Sequence, residues 1–117
     1  MEDARLWSTE ESLWKGGRDV YEKLVSKDCL MVVPAEPYVV SGEQAIDAVS
    51  NTPRWEDVRF SDQRIARPEY GMIVCAYHVE ATRGDEQCAC YATSTYQRCG
   101  DHDWQVVQHQ QTVPLKS

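Results

Sequence analysis

The sequence lacks two features that would each place it in a broad functional class. No apolar run approaches the roughly 20 residues that a membrane-spanning helix requires. Positive charge is scarce, since 12 Lys and Arg stand against 19 Asp and Glu and give a net charge of −7. A surface this acidic repels phosphate backbones and anionic lipid heads, which argues against nucleic-acid and membrane partners.

A targeting signal is also missing at the N-terminus. Residues 1–11, MEDARLWSTEE, are acidic and hold neither the basic region nor the apolar region of a secretory signal peptide. We therefore expect a cytoplasmic protein. A chain of 117 residues corresponds to a single domain, large enough to bury one hydrophobic core without cross-links.

The cysteines do not have the spacing of a metal site or a disulfide framework. Their number, five, is odd, and only Cys88 and Cys90 stand close together. On a strand these two thiols would share a face. A zinc site would need two further ligands at short spacing, which the sequence does not offer. We predict no metal and no cofactor, and we interpret the cysteines as small buried core residues.

Apolar periodicity divides the chain into helices, short strands and then long strands. The third helical segment, SGEQAIDAV, begins with a capping box formed by Ser41 and Gln44. The predicted helices are 3–15, 18–26 and 41–49, and the predicted strands are 29–33, 38–40, 55–67, 70–83, 86–98 and 103–113. This order indicates an α+β domain whose helices cover one face of an antiparallel sheet of five or six strands.

The strand predicted at 70–83 is apolar on both faces. Ile73 and Cys75 share one face, while Val74 and Ala76 share the other. An antiparallel strand with one face in water should alternate apolar and polar residues. We therefore expect both faces to be covered, one by the helices and the other by a second copy of the sheet in a homodimer. The alternative is a strand end tucked under a loop.

The order and spacing of several segments carry a family resemblance. The segments are LWSTEESLWKGG, CLMVVP, SGEQAI, PRW and the three long strands that end in WQVVQHQQT. Together they resemble the nuclear-transport-factor-2-like (NTF2-like) superfamily over nearly the whole chain, and within it the small bacterial SnoaL-like and DUF4440-type domains. The resemblance implies a cone in which a curved antiparallel sheet wraps around three N-terminal helices. It also implies a pocket between sheet and helices, and dimers packed sheet to sheet.

The resemblance leaves the function open, because this superfamily holds isomerases, cyclases, dehydratases and epoxide hydrolases beside ligand-binding and association domains. Its enzymes use acids inside the cone. The strand acids of this chain lie at strand starts, polar interruptions or polar ends: Glu56, Asp57, Asp62 and Glu80. None has the apolar surroundings that would suit it to general acid or base work.

The last predicted strand turns polar after an apolar beginning, with Gln108, His109, Gln110 and Gln111 in succession. His109 is the candidate catalytic residue, because an imidazole exchanges protons near neutral pH. By strict alternation it shares a face with Val107, which we expect in the core, and with Gln111. His109 and Gln111 would then form the polar end of the pocket. The alternative is a histidine bonded to a nearby hydroxyl or carbonyl that serves structure alone.

Five further residues are candidate ligand contacts: Trp14, Met31, Trp55, Tyr77 and Tyr91. The tyrosines lie in mid-strand with room to point inward, and each combines an apolar ring with a hydrogen-bonding tip. Met31 is an adaptable filler on the first strand, and the two tryptophans fall where the family's helix and strand meet at the pocket mouth. Each could instead be a core residue. Three functions stay open: a module that binds a small apolar molecule, an enzyme that moves a proton on such a molecule, and a structural or association domain with a filled pocket.

Overall fold

The computed structural model describes residues 1–116, and its elements follow the predicted order. The first half contains α1 (Asp3–Lys15), α2 (Arg18–Leu24), β1 (Val25–Val32), β2 (Val39–Ser41) and α3 (Gly42–Val49). The second half contains β3 (Asp57–Glu69), β4 (Met72–Arg83), β5 (Glu86–Arg98) and β6 (Trp104–Thr112). β1 begins at Val25, earlier than predicted, because polar residues interrupt the apolar pattern of its first half.

The six strands form one curved sheet in the order β2-β1-β6-β5-β4-β3. The four long strands pair antiparallel, as predicted. β1 runs parallel to β6, so the sheet is mixed rather than antiparallel throughout. Short turns between successive long strands dictate antiparallel pairing, whereas no hairpin joins β1 to β6 and the direction of that pair is unconstrained by a turn.

The helices cover the inner face of this sheet and build the core with it. Along β4 every second residue is buried: Ile73, Cys75, Tyr77, Val79 and Ala81. From α1, Leu6, Leu13 and Trp14 belong to the same buried cluster. Val74 and Ala76 lie on the outer face and are half-buried. The α+β cone predicted from the sequence is thus the architecture of the chain.

A β-bulge shifts the alternation of β6, and such bulges help long strands to curve around a tight cone. Tyr96 of β5 pairs with Val106, and the preceding Thr95 pairs with Gln108. Val107 is therefore the extra residue on β6. Residues after the bulge therefore face the opposite way from the one that strict alternation, counted from Val106, would give them.

The start of α3 is locked onto β1. The predicted capping box is present, since the Gln44 N–H donates to Ser41 Oγ at 3.1 Å and the Ser41 N–H donates to Gln44 Oε1 at 2.9 Å. A Cβ on Gly42 would lie 1.8 Å from the carbonyl oxygen of Ser26 in β1. Only glycine permits this approach, which fixes the position of the helix against the sheet.

The cysteines are free thiols, and three of them, Cys29, Cys75 and Cys90, are buried as interpreted. Cys99 is exposed and Cys88 is half-buried, so the interpretation does not hold for all five. Burial raises the pKa of Cys29 and of Cys90 to about 12, which leaves these thiols protonated and unreactive.

None of the helices within residues 1–116 is long and apolar enough to span a membrane.

Candidate functional site

A cavity of about 420 Å³ opens between the helices and the inner face of the sheet. Most of its walls are apolar or aromatic, and they include Leu13, Trp14, Met31, Val40, Ala45, Val49, Trp55 and Val106. His109 and Gln111 add polar groups from β6. This volume and this mixture are typical of sites that bind small molecules.

Strand pairing places His109 in a row of inner-face residues. Met31 of β1 lies beside it on one side, and Ser94 of β5 lies beside it on the other. Ser94 in turn pairs with Cys75 of β4. Directly paired residues share a face of the sheet, so this row runs across four strands beneath α1.

Glu10 of α1 is fully buried next to this row. Its Oε1 accepts a hydrogen bond of 2.6 Å from the Tyr96 hydroxyl, and its Oε2 accepts one of 2.6 Å from the Ser94 hydroxyl. The Tyr77 hydroxyl also donates to Oε2, and the Trp14 indole N–H donates to the Tyr77 oxygen at 2.9 Å. Three O–H donors thus replace the water that the carboxylate loses on burial.

Ser94 connects Glu10 to His109. The serine oxygen lies 2.7 Å from His109 Nδ1, and Glu10 Oε2 lies 3.7 Å from the same nitrogen. Because the serine proton is directed to Glu10, Nδ1 carries the imidazole hydrogen and donates it to the serine oxygen. Nε2 is then the acceptor, and the amide nitrogen of Gln111 lies 3.2 Å from it. The network holds one neutral tautomer with the Nε2 lone pair beside Gln111.

Burial determines the protonation of these groups. It lowers the pKa of the His109 imidazole, while the charge of Glu10 acts in the opposite direction with a smaller effect. Burial, the charge of Glu10 and the hydrogen bonds to it raise the pKa of Tyr77 and of Tyr96. At neutral pH, His109 is an uncharged acceptor and both tyrosines are uncharged donors.

The lowered pKa of His109 predicts a loss of stability in mild acid. The unfolded chain takes up a proton at this residue near pH 6.5, whereas the folded protein does so only at lower pH. The contribution of His109 is therefore complete above about pH 6.5 and declines as the pH falls below it. Urea denaturation between about pH 6.5 and 5.5 should show a steeper decline for the wild type than for His109→Phe. Equal slopes would contradict a buried neutral imidazole.

Five of the seven residues predicted for the site line this one cavity: Trp14, Met31, Trp55, His109 and Gln111. Tyr77 does not line it, because its buried hydroxyl is bonded to Glu10. Tyr91 points away from it. Tyr91 pairs with His78 on the outer face, 48% of its surface is exposed, and the two rings lie 4.9 Å apart. The prediction that Tyr91 points inward is wrong.

His109 faces the interior for a reason that differs from the predicted one. Strict alternation placed Val107 in the core together with His109. Val106 is instead the fully buried residue, and Val107 is half-buried. The bulge at Val107 inserts one residue between Val106 and His109, which returns His109 to the inner face.

Glu10 was not predicted as an interior acid, because it lies on a helix and not on a strand. Its position on α1 carries a signal that could have found it. Glu10 follows Leu6 by four residues and precedes Leu13 and Trp14 by three and four, so the four share one face of the helix. All four are buried. An acid in the middle of an apolar stripe indicates a buried carboxylate.

Two clefts of more than 500 Å³ also lie on the surface. One, of about 550 Å³, contains Arg5, Arg67 and Arg98, whose guanidinium groups donate to main-chain carbonyl oxygens. The other, of about 570 Å³, is lined mainly by charged side chains of α2, β1 and α3. Neither is lined by a buried ionisable side chain, so the cavity at His109 is the candidate site. Within residues 1–116, no group of three or more His, Cys, Asp or Glu is placed to hold a metal ion.

No family model matches the chain, and no curated protein matches it. Several solved structures, in contrast, are similar to the chain over most of its length. An NTF2-like protein from Cytophaga hutchinsonii has a TM-score of 0.78 and 18% identity, over 97% of this chain and 100% of the other. An NTF2-like protein of unknown function in nutrient uptake, from Rhodospirillum rubrum, has a TM-score of 0.78 and 14% identity, over 98% and 100%.

A proposed ketosteroid isomerase from Parabacteroides distasonis is also similar, with a TM-score of 0.77 and 17% identity, over 92% of this chain and 85% of the other. Likeness at these identities concerns the fold. The narrower resemblance to SnoaL-like and DUF4440-type domains stays a prediction. The chain has the fold of the NTF2-like superfamily, as the order of its sequence segments predicted.

Proposed function

We propose that this protein binds a small apolar molecule in the cavity between the helices and the sheet. The observation that carries the proposal is the cavity of about 420 Å³, apolar over most of its wall, with the His109 and Gln111 pair in that wall. The ligand's apolar body would contact Trp14 and Met31. A hydroxyl or another donor on the ligand would take the place of the Gln111 amide at the Nε2 lone pair of His109.

The support given to His109 favours a use for the imidazole. Two of the hydrogen bonds of this network, from Ser94 to Glu10 and between Ser94 and His109, serve to hold one tautomer. Apolar residues of similar volume in place of a buried charged network are often as stable or more stable. Stability alone therefore does not account for a carboxylate, a serine and an imidazole at the centre of this core.

The ligand-binding test uses 2-naphthol, an apolar ring system with one hydroxyl donor, and follows the amide shifts of the cavity residues in ¹⁵N-labelled protein. His109→Phe should keep the fold and weaken binding about tenfold, since it removes one hydrogen bond of about 1–1.5 kcal/mol. His102→Phe is the matched control, because His102 is exposed in the turn before β6. Equal affinity of the wild type and His109→Phe would contradict the proposed role of His109. Native mass spectrometry of the purified protein would add the mass of any molecule that it retains.

A second candidate function is proton transfer on the bound molecule, and the Glu10–Ser94–His109 arrangement favours it. A proton taken up at Nε2 of His109 would create an imidazolium ion. Its charge would be stabilised by Glu10, 3.7 Å from Nδ1, with Ser94 between them. A base oriented by a hydrogen-bonded acid is the usual arrangement for such a step. One structural neighbour is a proposed ketosteroid isomerase, and isomerisation of a ketosteroid moves a proton.

The enzymatic candidate is tested with a β,γ-unsaturated ketosteroid, whose conversion to the conjugated ketone is followed by ultraviolet absorbance. The wild type should turn it over. Ser94→Ala should lower kcat about 100-fold with little change in KM, because Ser94 orients the base His109 and does not bind the substrate. Thr93→Ala, on the opposite face of β5, is the control. If the wild type did not convert the ketosteroid, the proton-transfer function would be contradicted and the proposed ligand binding would be unaffected.

We also propose a homodimer through the outer face of the sheet. Val74 and Ala76 are half-buried there although no helix covers them, and Tyr91 is 48% exposed on the same face. A stable interface would bury at least about 1,000 Å² with an apolar centre. Sedimentation at micromolar concentration should show a dimer, and Tyr91→Glu should shift it toward the monomer. A monomeric wild type would contradict the proposal.

A further inference from the structure

We propose that the ligand of this cavity is an organic anion, an apolar or aromatic carboxylate, whose charged group is held by Arg54 and Arg83. The inference rests on the proposed function, because it names the chemical class of ligand for the same cavity. Arg54 and Arg83 both line that cavity, together with the apolar residues and His109.

Arg54 brings a positive charge that no carboxylate neutralises. Its Nε donates to the carbonyl oxygen of Gly16 at 2.8 Å, and its Nη2 donates to the carbonyl of Leu13 and to the Tyr21 hydroxyl at 3.1 Å. These acceptors are uncharged. Within residues 1–116, Arg54 forms no ion pair and its Nη1 has no hydrogen-bond acceptor.

Arg83 has a donor that the chain does not satisfy. Its Nη1 donates to the carbonyl of Pro53 at 2.6 Å, its Nη2 donates to Glu86 at 3.0 Å, and its guanidinium carbon lies 4.2 Å from the centre of the Trp55 ring. Its Nε is buried and is without a hydrogen-bond partner in the part of the chain described. Glu86 is exposed to solvent, which screens its charge, so the Arg83 guanidinium still attracts an anion in the cavity.

The charges around the cavity give an anion one favoured orientation. The protein as a whole carries a net charge of −7, which repels anions from most of its surface. The charged residues of the cavity wall are nevertheless two arginines and one exposed glutamate, Glu36. The carboxylate of Glu10 lies behind His109. An anionic group would therefore avoid the His109 side and bind at Arg54 and Arg83, while an ammonium group would be repelled there.

Three probes of similar size separate charge from shape: sodium phenylacetate, phenylacetamide and phenethylamine. Each is titrated into ¹⁵N-labelled protein, and binding is read from the amide shifts of cavity residues. Phenylacetate should bind about tenfold more tightly than phenylacetamide, because charge-assisted hydrogen bonds are roughly twice as strong as neutral ones. Its affinity should fall as salt is added. Phenethylamine should bind most weakly.

Arg54→Gln should abolish the preference for phenylacetate over phenylacetamide, and Arg83→Gln should reduce it. Arg64→Gln makes the same change in net charge at an exposed arginine outside the cavity, so it should preserve the preference. Should Arg54→Gln prevent folding, because Arg54 binds the carbonyls at the end of α1, Arg83→Gln and the wild-type comparison decide the question.

The outcomes separate this inference from the proposed function. If the wild type binds phenylacetamide as well as phenylacetate, with shifts at His109 and Gln111, the anion inference is overturned and the cavity stands as a binding site. If none of the three probes nor 2-naphthol shifts the cavity residues, the proposed function and the inference both fail.

Discussion

Glu10→Ala should lower the free energy of unfolding by at least about 3 kcal/mol, the largest effect expected for a single side chain of this protein. The substitution leaves the hydroxyls of Tyr77, Tyr96 and Ser94 without their acceptor in a dry core, at about 1–3 kcal/mol for each unsatisfied group. It also opens a cavity beside Leu6. The measurement is the urea midpoint at neutral pH, with the m-value checked for constancy.

Glu11→Ala is the matched control for this prediction. Glu11 is the next residue of α1, is partly exposed, and forms only a surface ion pair of 3.8 Å with Lys15. It should change stability by less than about 0.5 kcal/mol. Glu10→Gln keeps the shape of the side chain but turns one acceptor into a donor that faces hydroxyl donors, so it should fall between the two alanine variants. If Glu10→Ala proved as stable as Glu11→Ala, the three hydroxyls would not depend on this carboxylate.

Gly42→Ala should lower the free energy of unfolding by about 3 kcal/mol, because its methyl group would lie 1.8 Å from the carbonyl oxygen of Ser26. The obstacle is main chain, so relief requires α3 to move away from β1. That movement would also displace Ala45 and Val49, which line the cavity, and should weaken binding of 2-naphthol. Gly17→Ala is the control, since a methyl group there would meet no atom within 4 Å. A Gly42→Ala variant as stable as Gly17→Ala would contradict the close contact of α3 and β1.

The elements of the fold could be predicted because each has a strong local pattern. The capping box at Ser41 marked α3, and apolar runs separated by short turns marked the four long strands. The direction of β1 beside β6 had no such signal, because no turn connects the two strands. This parallel pairing places Met31 next to His109, so part of the site depends on a long-range contact that local pattern does not determine.

Two errors at the site have a common origin in strand register. The pairing of Arg83 with Glu86 across the turn places Tyr77 opposite Ala92 and Tyr91 opposite His78, so the two tyrosines lie on opposite faces. Counting back from the turn at RGDE would have shown this. The bulge at Val107 could not be located in this way, because nothing in WQVVQHQQT shows which residue is left without a partner on β5. Register can be counted from a short turn, whereas the position of a bulge depends on the fit of the whole sheet.

The arginines of the cavity wall could not be predicted from local sequence. Arg54 reaches Gly16 and Leu13, about forty residues earlier in the chain, and Arg83 is the last residue of β4, a strand whose alternate residues are buried in the core. Their shared cavity arises only when α1, the segment before β3 and the end of β4 meet. The burial of Glu10, in contrast, could have been predicted from its spacing to the apolar residues of α1.

A crystal structure of the protein with 2-naphthol would show whether the cavity holds a small molecule through His109. We expect a naphthyl ring beside Trp14 and Met31, with its hydroxyl about 2.7–3.2 Å from His109 Nε2 in place of the Gln111 amide. A cavity closed by the protein's own side chains, or 2-naphthol bound only outside it, would contradict ligand binding at His109.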